Sequence, residues 1–224
     1  MNGYGPLLAR LDRLGYGIRE QVLDAVQFGV PQTRRRLFIL AEANHQVPAP
    51  IRPLSLPEIP VKDILDYKVA TGEDQYTSQP LYTPTRAKPT VERYKQGVQA
   101  LGGGVPFLIV YYGSDANGGW QSIDRPLRTL TTLDRFGLVT WKWKKPFLRM
   151  LQVPEICRAM GWNDDIPFRL AGTRRDKIMQ MGNGVCPPLM RSVVEQLTAS
   201  QNPVRSRPLE GFPEQVYLPC IDMR

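Results

Sequence analysis

The first forty residues pass from a helical to an extended pattern of apolar positions. Leucines recur at helical spacing at Leu7, Leu8, Leu11 and Leu14. Gly15 and Gly17 are expected to end this helix. Two short β-compatible runs follow, at residues 18–23 and 36–41, joined by about a dozen residues. One helix and two strands cannot bury a stable core, so this stretch is expected to be the tail end of a larger α/β domain.

The pattern changes at about Asn44, where prolines become frequent and apolar runs become short. The strongest strand signal of the chain lies at residues 107–112, and residues 126–132 and 137–144 are further strand candidates. A basic, partly helical region is expected around residues 85–95. This stretch of about a hundred residues predicts a small, loop-rich domain of short strands.

The last third of the chain is helical in pattern. Helices are expected at residues 155–160, 174–181 and 189–199. A tight loop at residues 182–188 is expected to open the third of them. The apolar face of that helix comprises Val193, Val194 and Leu197. Residues 201–224 are rich in proline and irregular, which predicts a mobile tail.

The chain is basic, with a formal net charge of +8. This excess favours an acidic partner, usually nucleic acid, although a merely basic protein gives the same figure. Cys157, Cys186 and Cys220 lack metal-like spacing, and His45 is the only histidine, so neither a metal site nor a Ser-His-Asp triad is expected. With no membrane-length apolar run and no secretory signal, the expected location is the reducing cytoplasm.

Three consecutive arginines stand at the entrance to the second β run. In an extended segment Gln32, Arg34 and Arg36 share one side, and Arg35 faces the other. Guanidinium and amide groups in such a row can bind phosphate oxygens or a carbonyl on a base edge. The alternative is a solvated loop whose charges protect an apolar strand from aggregation.

Residues 141–145 alternate aromatic and cationic side chains. On a strand Trp141 and Trp143 would face one way, and Lys142 and Lys144 the other. Such lysines can bind a DNA backbone. An ordinary half-buried strand with a wet lysine face is the preferred interpretation of the tryptophans, and both interpretations stay open for the lysines.

Three motifs together resemble DNA cytosine-5 methyltransferases. Residues 29–36 read Gly-Val-Pro-Gln-x-Arg-x-Arg before an apolar strand, which resembles the eighth motif of that family. Residues 149–162, with Arg-Met-Leu, Pro-Glu and Arg-Ala-Met-Gly-Trp, are similar to the ninth. Residues 181–185 and the two prolines after them are similar to the tenth. The motifs occur in the family's order, and the resemblance extends from Asn2 to about Thr198.

The resemblance implies an α/β fold. It would comprise the C-terminal part of a Rossmann-like, S-adenosylmethionine-dependent methyltransferase domain and a small, loop-rich, mainly β target-recognition domain. Residues 1–43 and 149–200 would belong to the catalytic domain. Residues 44–148 would form the target-recognition domain, and residues 201–224 would be an irregular tail.

The resemblance also implies roles for single residues. In this family a cysteine thiolate adds to C6 of a cytosine rotated out of duplex DNA, and C5 then takes a methyl group from S-adenosylmethionine. Arg36 would be catalytic, stabilising the charge on the ring, with Gln32 and Arg34 nearby on DNA or supporting the site. Asn183 and Val185 would line the methyl-donor pocket, and a helix cap is the alternative role for Asn183.

Further residues are implied at the DNA. Thr129 and Leu130 resemble a Thr-Leu pair that lies near the opened base step in recognition domains. Lys142 and Lys144 are candidate DNA contacts from the alternating run. Glu155 and Arg158 are expected to be structural, holding the ninth-motif helix on the recognition domain. Double-stranded DNA is the expected partner.

The front motifs of the family are absent from this sequence: the Phe-x-Gly-x-Gly loop, Pro-Cys-Gln and Glu-Asn-Val. None of the three cysteines replaces the nucleophile. The chain is therefore expected to be inactive alone and to need an N-terminal half, either as one subunit of a split enzyme or as a truncated reading of a longer gene. The expected setting is bacterial or phage restriction-modification. A non-enzymatic, sequence-reading DNA-binding module is the alternative, and a basic RNA-associated protein is a third.

Overall fold

The computed structural model describes residues 4–112, 118–162 and 169–199. Helix α1 (Tyr4–Arg13) leads into two antiparallel strands, β1 (Gly17–Asp24) and β2 (Arg35–Glu42). The predicted helix and the two predicted strands are therefore confirmed. A 3₁₀ turn (Ala25–Phe28) and residues 29–34 connect the strands, so the arginine cluster lies where β2 begins.

The middle of the chain forms two further antiparallel sheets. The smaller pairs β3 (Tyr67–Lys68) with β4 (Glu73–Asp74). The larger has five strands in the order β5-β9-β8-β6-β7. These are β5 (Gln79–Pro80), β6 (Phe107–Val110), β7 (Trp120–Ser122), β8 (Phe136–Lys142) and β9 (Lys145–Met150). Helix α2 (Lys88–Leu101), longer than the predicted basic helix, packs over β6 and β7.

Two strand predictions are corrected by this topology. Residues 126–132 are not a sheet strand, because their backbone bonds to residues 31–33 and only an isolated bridge joins Leu127 to Gln32. The run at residues 137–144 stops being a strand at Lys142, because Trp143 and Lys144 turn the chain back with φ of 49° and 63°. The sequence pattern does not indicate β9 as a separate strand.

Three helices follow the large sheet, as predicted: α3 (Val153–Ala159), α4 (Arg174–Asn183) and α5 (Pro187–Ala199). In α5 Val193 is buried and Leu197 packs on the core, whereas Val194 is half exposed. The apolar face of α5 is therefore narrower than predicted, since consecutive helical residues point about 100° apart. Among the described residues, no helix has the length and apolarity needed to cross a membrane.

Alternate residues of β6 enter two different apolar clusters. Leu108 and Val110 join the main core, which takes side chains from β1 at the front of the chain to α5 at the back. Phe107 and Ile109 join a smaller cluster under α2. The stretches predicted as catalytic and recognition parts thus share one main core.

Candidate functional site

Two chain segments that are far apart in sequence are bonded side by side at the entrance to β2. The N–H of Thr33 donates to the carbonyl of Leu127 at 2.8 Å, and the N–H of Leu127 donates to the carbonyl of Pro31 at 2.9 Å. The hydroxyl of Thr129 donates to the carbonyl of Thr33 at 2.7 Å. The arginine cluster and the predicted recognition residues therefore lie together, and we call residues 31–34 with residues 127–131 the junction.

Gln32 is at the centre of the junction and is fully buried. Its Oε1 accepts the N–H of Leu130 at 2.7 Å, and its Nε2 donates to the carbonyl of Ala159, at the end of α3, at 3.2 Å. Both polar ends of the amide are thus bonded to the protein. A direct DNA contact by Gln32 is corrected to a supporting role, because the side that it shares with Arg34 faces the interior.

Arg34 links the junction to residues 182–184. Its side chain is inside the protein, with only 6% of the residue exposed. Nη1 donates to the carbonyl of Leu130 at 3.0 Å, and Nη2 donates to the carbonyls of Gly182 at 2.7 Å and Gly184 at 3.2 Å. Burial, and then the nearby charge of Arg36, lower the pKa of Arg34. The Arg34 side chain is therefore bonded inside the protein rather than exposed, and its supporting role stays a prediction.

The loop after α4 touches the junction directly as well as through Arg34. Gly182 approaches so closely that a Cβ there would lie 2.3 Å from the backbone oxygen of Thr131. Leu130 is buried, so its predicted contact with DNA is corrected to a place in the core. Thr129 remains partly accessible beside it. The result is one packed unit made from three segments.

Arg36 is exposed to solvent, as is Arg35, in contrast to the buried Arg34. Its Nη1 donates to the carbonyl of Arg35 at 2.7 Å, and it makes no salt bridge with any residue that the structure describes. Its charge is, after burial, a cause of the lowered pKa of Arg34, and it opposes the raised pKa of the Cys186 thiol. Arg36 is thus an exposed cation two residues after Arg34.

Asn183 and Val185 are both exposed on this same loop. Asn183 is the last residue of α4, whereas a place in a loop that opens a helix was expected from the sequence. It does not cap α5, because that helix begins at Pro187 directly after Cys186. Two prolines at the start of α5 also have no N–H to offer. A polar ligand here would therefore meet side-chain groups and the backbone of residues 184–186.

Lys142 and Lys144 are not brought to the junction. They lie at the turn between β8 and β9, and the opposite end of β8 is the one near the junction. At that end Phe136 packs edge-on against Tyr112, whose hydroxyl donates to the carbonyl of Thr129. The length of β8 puts the turn about 20 Å away. Trp143 does not face the same way as Trp141, because Trp143 is in the turn itself.

A buried ion cluster joins α3 to the strand pair β3–β4. Arg149 donates from Nε to Asp74 at 2.9 Å and from Nη1 to Glu155 at 2.8 Å, and all three side chains are at most 2% exposed. Burial alone would lower the pKa of Arg149, but its bonds to Glu155 and Asp74 raise it above its ordinary value. Arg158 binds Asp66 at 2.7 Å. Glu155 and Arg158 are therefore structural, as predicted, while no local signal in the sequence identifies Asp66 or Asp74.

Cys186 does not have the character of a nucleophile. Burial raises the pKa of the Cys186 thiol to about 11, against the opposing charges of Arg34 and Arg36. Cys157 is half buried on α3, and Cys220 lies outside the described residues. Within the part of the chain that the structure describes, no cluster of side chains is suited to a metal ion.

Several curated proteins match most of this chain. It is 26% identical over 205 residues to the type II methyltransferase M.NlaX of Neisseria lactamica, covering 90% of this chain and 58% of that protein. It is 26% identical to the type II methyltransferase M.AplI of Arthrospira platensis, covering 95% of this chain and 57% of that protein. The chain thus spans less than two thirds of the length of these relatives.

Solved structures with the same fold are also methyltransferases. The Entamoeba histolytica methyltransferase EhMeth superposes with a TM-score of 0.54 at 16% identity, over 90% of this chain and 59% of that one. The S. pombe Dnmt2 methyltransferase superposes with a TM-score of 0.54 at 14% identity, over 90% of this chain and 62% of that one. A family of C-5 cytosine-specific DNA methylases matches residues 6–199. Because that match spans most of its residues, the chain belongs to the C-5 cytosine-specific DNA methylase family.

Proposed function

We propose that this chain is the C-terminal part of a DNA cytosine-5 methyltransferase, which transfers a methyl group from S-adenosylmethionine to C5 of a flipped cytosine in duplex DNA. A second half, on another polypeptide or on sequence outside this chain, would bring the cysteine nucleophile. The observation that carries the proposal is that Arg34 bonds to the carbonyls of Gly182 and Gly184, on either side of Asn183, while the guanidinium of Arg36, two residues later, is exposed. Family membership over residues 6–199 adds to it.

In this proposal Arg36 acts on the base. When the thiolate adds to C6, a carbon–sulfur bond forms and negative charge spreads over C5 and the ring carbonyl. The Arg36 guanidinium donates hydrogen bonds to that carbonyl oxygen and stabilises the charge. After C5 has taken the methyl group, loss of its proton expels the thiolate and restores the ring. Arg34 holds the loop after α4 in place throughout, because its three bonds end on carbonyls of two segments.

Asn183 and Val185 are the proposed contacts for the methyl donor. The bound donor would supply an activated methyl group on its sulfonium. The two residues fit such a group, since one presents an exposed amide and the other an exposed apolar surface on the loop that Arg34 fixes from behind. The amide can bind the amino-acid end of the donor, and the valine can pack on an apolar part.

The need for a second half is supported by apolar surface at the front of the chain. Helix α1 has no buried residue, and its Leu7 is half exposed. Val22 and Leu37 are directly paired across β1 and β2, and each is about half exposed on the same face of the hairpin. Adjacent exposed apolar side chains of this kind mark a surface that another part of a protein covers. We also propose, from the family resemblance, that residues 1–43 and 149–200 belong to the catalytic domain and residues 44–148 to target recognition.

The test is methyl incorporation into duplex DNA by this chain mixed with a front-half chain from the same family. We expect no incorporation by either chain alone and measurable incorporation by the mixture. Arg36→Ala should lower turnover by about 10²–10³-fold, the usual effect of removing one donor to developing charge, with much less effect on DNA binding. Arg35→Ala removes an equally exposed arginine from the other side of β2 and should leave turnover unchanged.

Two outcomes would contradict the proposal. Methyl transfer by this chain without a partner would remove the need for a second half. An Arg36→Ala variant with full turnover would remove the catalytic role of Arg36. A loss of DNA binding in Arg36→Ala, with no turnover from any mixture, would favour the non-enzymatic DNA-binding module, which the net charge of +8 also suits.

A further inference from the structure

The turn between β8 and β9 carries the most exposed large apolar side chain of the described residues. Trp143 is 89% exposed, whereas tryptophan is usually well buried. Trp143 and Lys144 occupy the two central positions of a tight two-residue turn, both with positive φ. Such positions normally take asparagine or glycine, because a side chain there crowds the backbone. A bulky indole kept in a strained, solvent-exposed position indicates a contact outside the chain.

Three lysines surround this indole. Lys142 and Lys145 are paired at the base of the turn, and Lys144 stands beside Trp143 at its tip. None of the three forms a salt bridge with another described residue. The amino group of Lys142 lies 5.5 Å from the centre of the Phe147 ring, so its position is partly fixed. The turn therefore presents one flat aromatic face among three cations that no described carboxylate neutralises.

The support under the turn is rigid. Six consecutive residue pairs join β8 to β9 up to the turn. Trp141, one residue before Lys142, packs into the smaller apolar cluster, 6.0 Å from Phe107 between ring centres. The indole of Trp143 is thus held on a fixed hairpin rather than on a free loop, so little further ordering is needed when it binds.

We propose that the β8–β9 turn binds duplex DNA outside the target site, with the indole of Trp143 against a sugar and base edge and the lysines on the adjacent phosphates. This inference rests on DNA being the substrate, as in the proposed function. A cationic, aromatic surface fits a polyanion that carries flat bases. The turn is about 20 Å from the junction along β8, so it would contact DNA away from the reacting base.

The test measures the affinity of the full chain for a duplex of 24 base pairs at several salt concentrations. Trp143→Asn removes the indole and keeps a residue that tolerates positive φ, so the turn should survive. We expect its affinity to fall about tenfold, in the range for loss of one stacked aromatic, with an unchanged dependence on salt. Lys144→Gln should instead reduce the slope of the logarithm of the affinity against the logarithm of the salt concentration by about one.

Lys95→Gln is the matched control for charge. It removes one exposed lysine from α2, where Lys95 is paired with Glu92 at 3.7 Å, and it should change neither affinity nor salt dependence. DNA should also quench tryptophan emission in the wild-type chain and not in Trp143→Asn, since the other three tryptophans are partly buried.

Equal affinities of the wild type and Trp143→Asn for the duplex would overturn the inference. That result would not bear on the proposed function, which is tested separately by methyl transfer from the mixed halves. If the chain bound vesicles of acidic lipid through Trp143 and did not bind DNA, the inference would be overturned in favour of a membrane surface. A wild-type dimer that Trp143→Asn abolishes would overturn it in favour of a second copy. Weaker DNA binding by Trp143→Asn together with full turnover of Arg36→Ala would support the inference and contradict the proposed function.

Discussion

Replacing Arg34 by methionine tests whether the junction and the loop after α4 are one mechanical unit. Methionine fills a similar volume but donates nothing, so the carbonyls of Leu130, Gly182 and Gly184 lose their charged donor. Each hydrogen bond to a charged group contributes roughly 1.5–3 kcal/mol net, and three together would give about 4.5–9 kcal/mol. Relief from burying a guanidinium, whose pKa burial already lowers, offsets part of this. We expect a loss of about 3–5 kcal/mol.

That loss is a large share of the roughly 5–15 kcal/mol that stabilises a typical domain, so Arg34→Lys is needed as a milder variant. A lysine ammonium can reach one of the carbonyls but lacks the planar fork that serves several, and a loss of about 2–3 kcal/mol is expected. Urea unfolding gives the free energies, with Arg35→Lys on the exposed neighbour as the control.

Amide hydrogen exchange distinguishes coupling from simple destabilisation. In Arg34→Lys, exchange should rise together at residues 128–131 and at residues 182–185, which lie about fifty residues apart in sequence. It should stay unchanged in α2, which has no contact with Arg34. A loss under about 1 kcal/mol, or faster exchange confined to residues next to Arg34, would refute the reasoning.

Two further predictions concern buried charge and a buried thiol. Arg149→Met leaves the carboxylates of Asp74 and Glu155 buried without a cation, and urea unfolding should show a free energy of unfolding lower by about 3–5 kcal/mol. Lys62→Met, at the exposed pair with Asp124, is the control and should not change that free energy measurably. Equal losses in the two variants would contradict the role of the cluster. Burial raises the pKa of Cys186 to about 11, so at pH 8 its thiol should react with iodoacetamide far more slowly in the folded chain than in urea. Mass spectrometry follows the labelling, and fast labelling of the folded chain would contradict the burial of Cys186. Because the folded state favours the protonated thiol, its contribution to stability is present below pH 9 and is lost as the pH rises toward 11.

Elements with a strong periodic pattern were predictable. The leucine spacing of α1, the apolar runs of β1, β2 and β6, and the stops around α3 identify those elements from local sequence alone. The β8–β9 hairpin was not predictable, because Trp143 and Lys144 occupy turn positions that sequence rules give to asparagine and glycine.

For the candidate site, alternation correctly puts Gln32 and Arg34 on one side, but it does not tell which way that side faces. The answer depends on Leu130, nearly a hundred residues later, whose backbone bonds to both side chains. Arg36 is exposed, although alternation puts it on the same side as the buried Arg34. The Arg149–Asp74 pair is likewise a long-range contact, which a single sequence without this fold does not reveal.

The interlocking of residues 127–131 with the entrance to β2 has a consequence for chimeric enzymes. Exchanging residues 44–148, the proposed recognition domain, with those of a relative would also replace the peptide groups that bond to Gln32 and Arg34 and the backbone against which Gly182 lies. A graft that keeps residues 127–131 of this chain, and replaces only the rest of residues 44–148, leaves the junction unchanged.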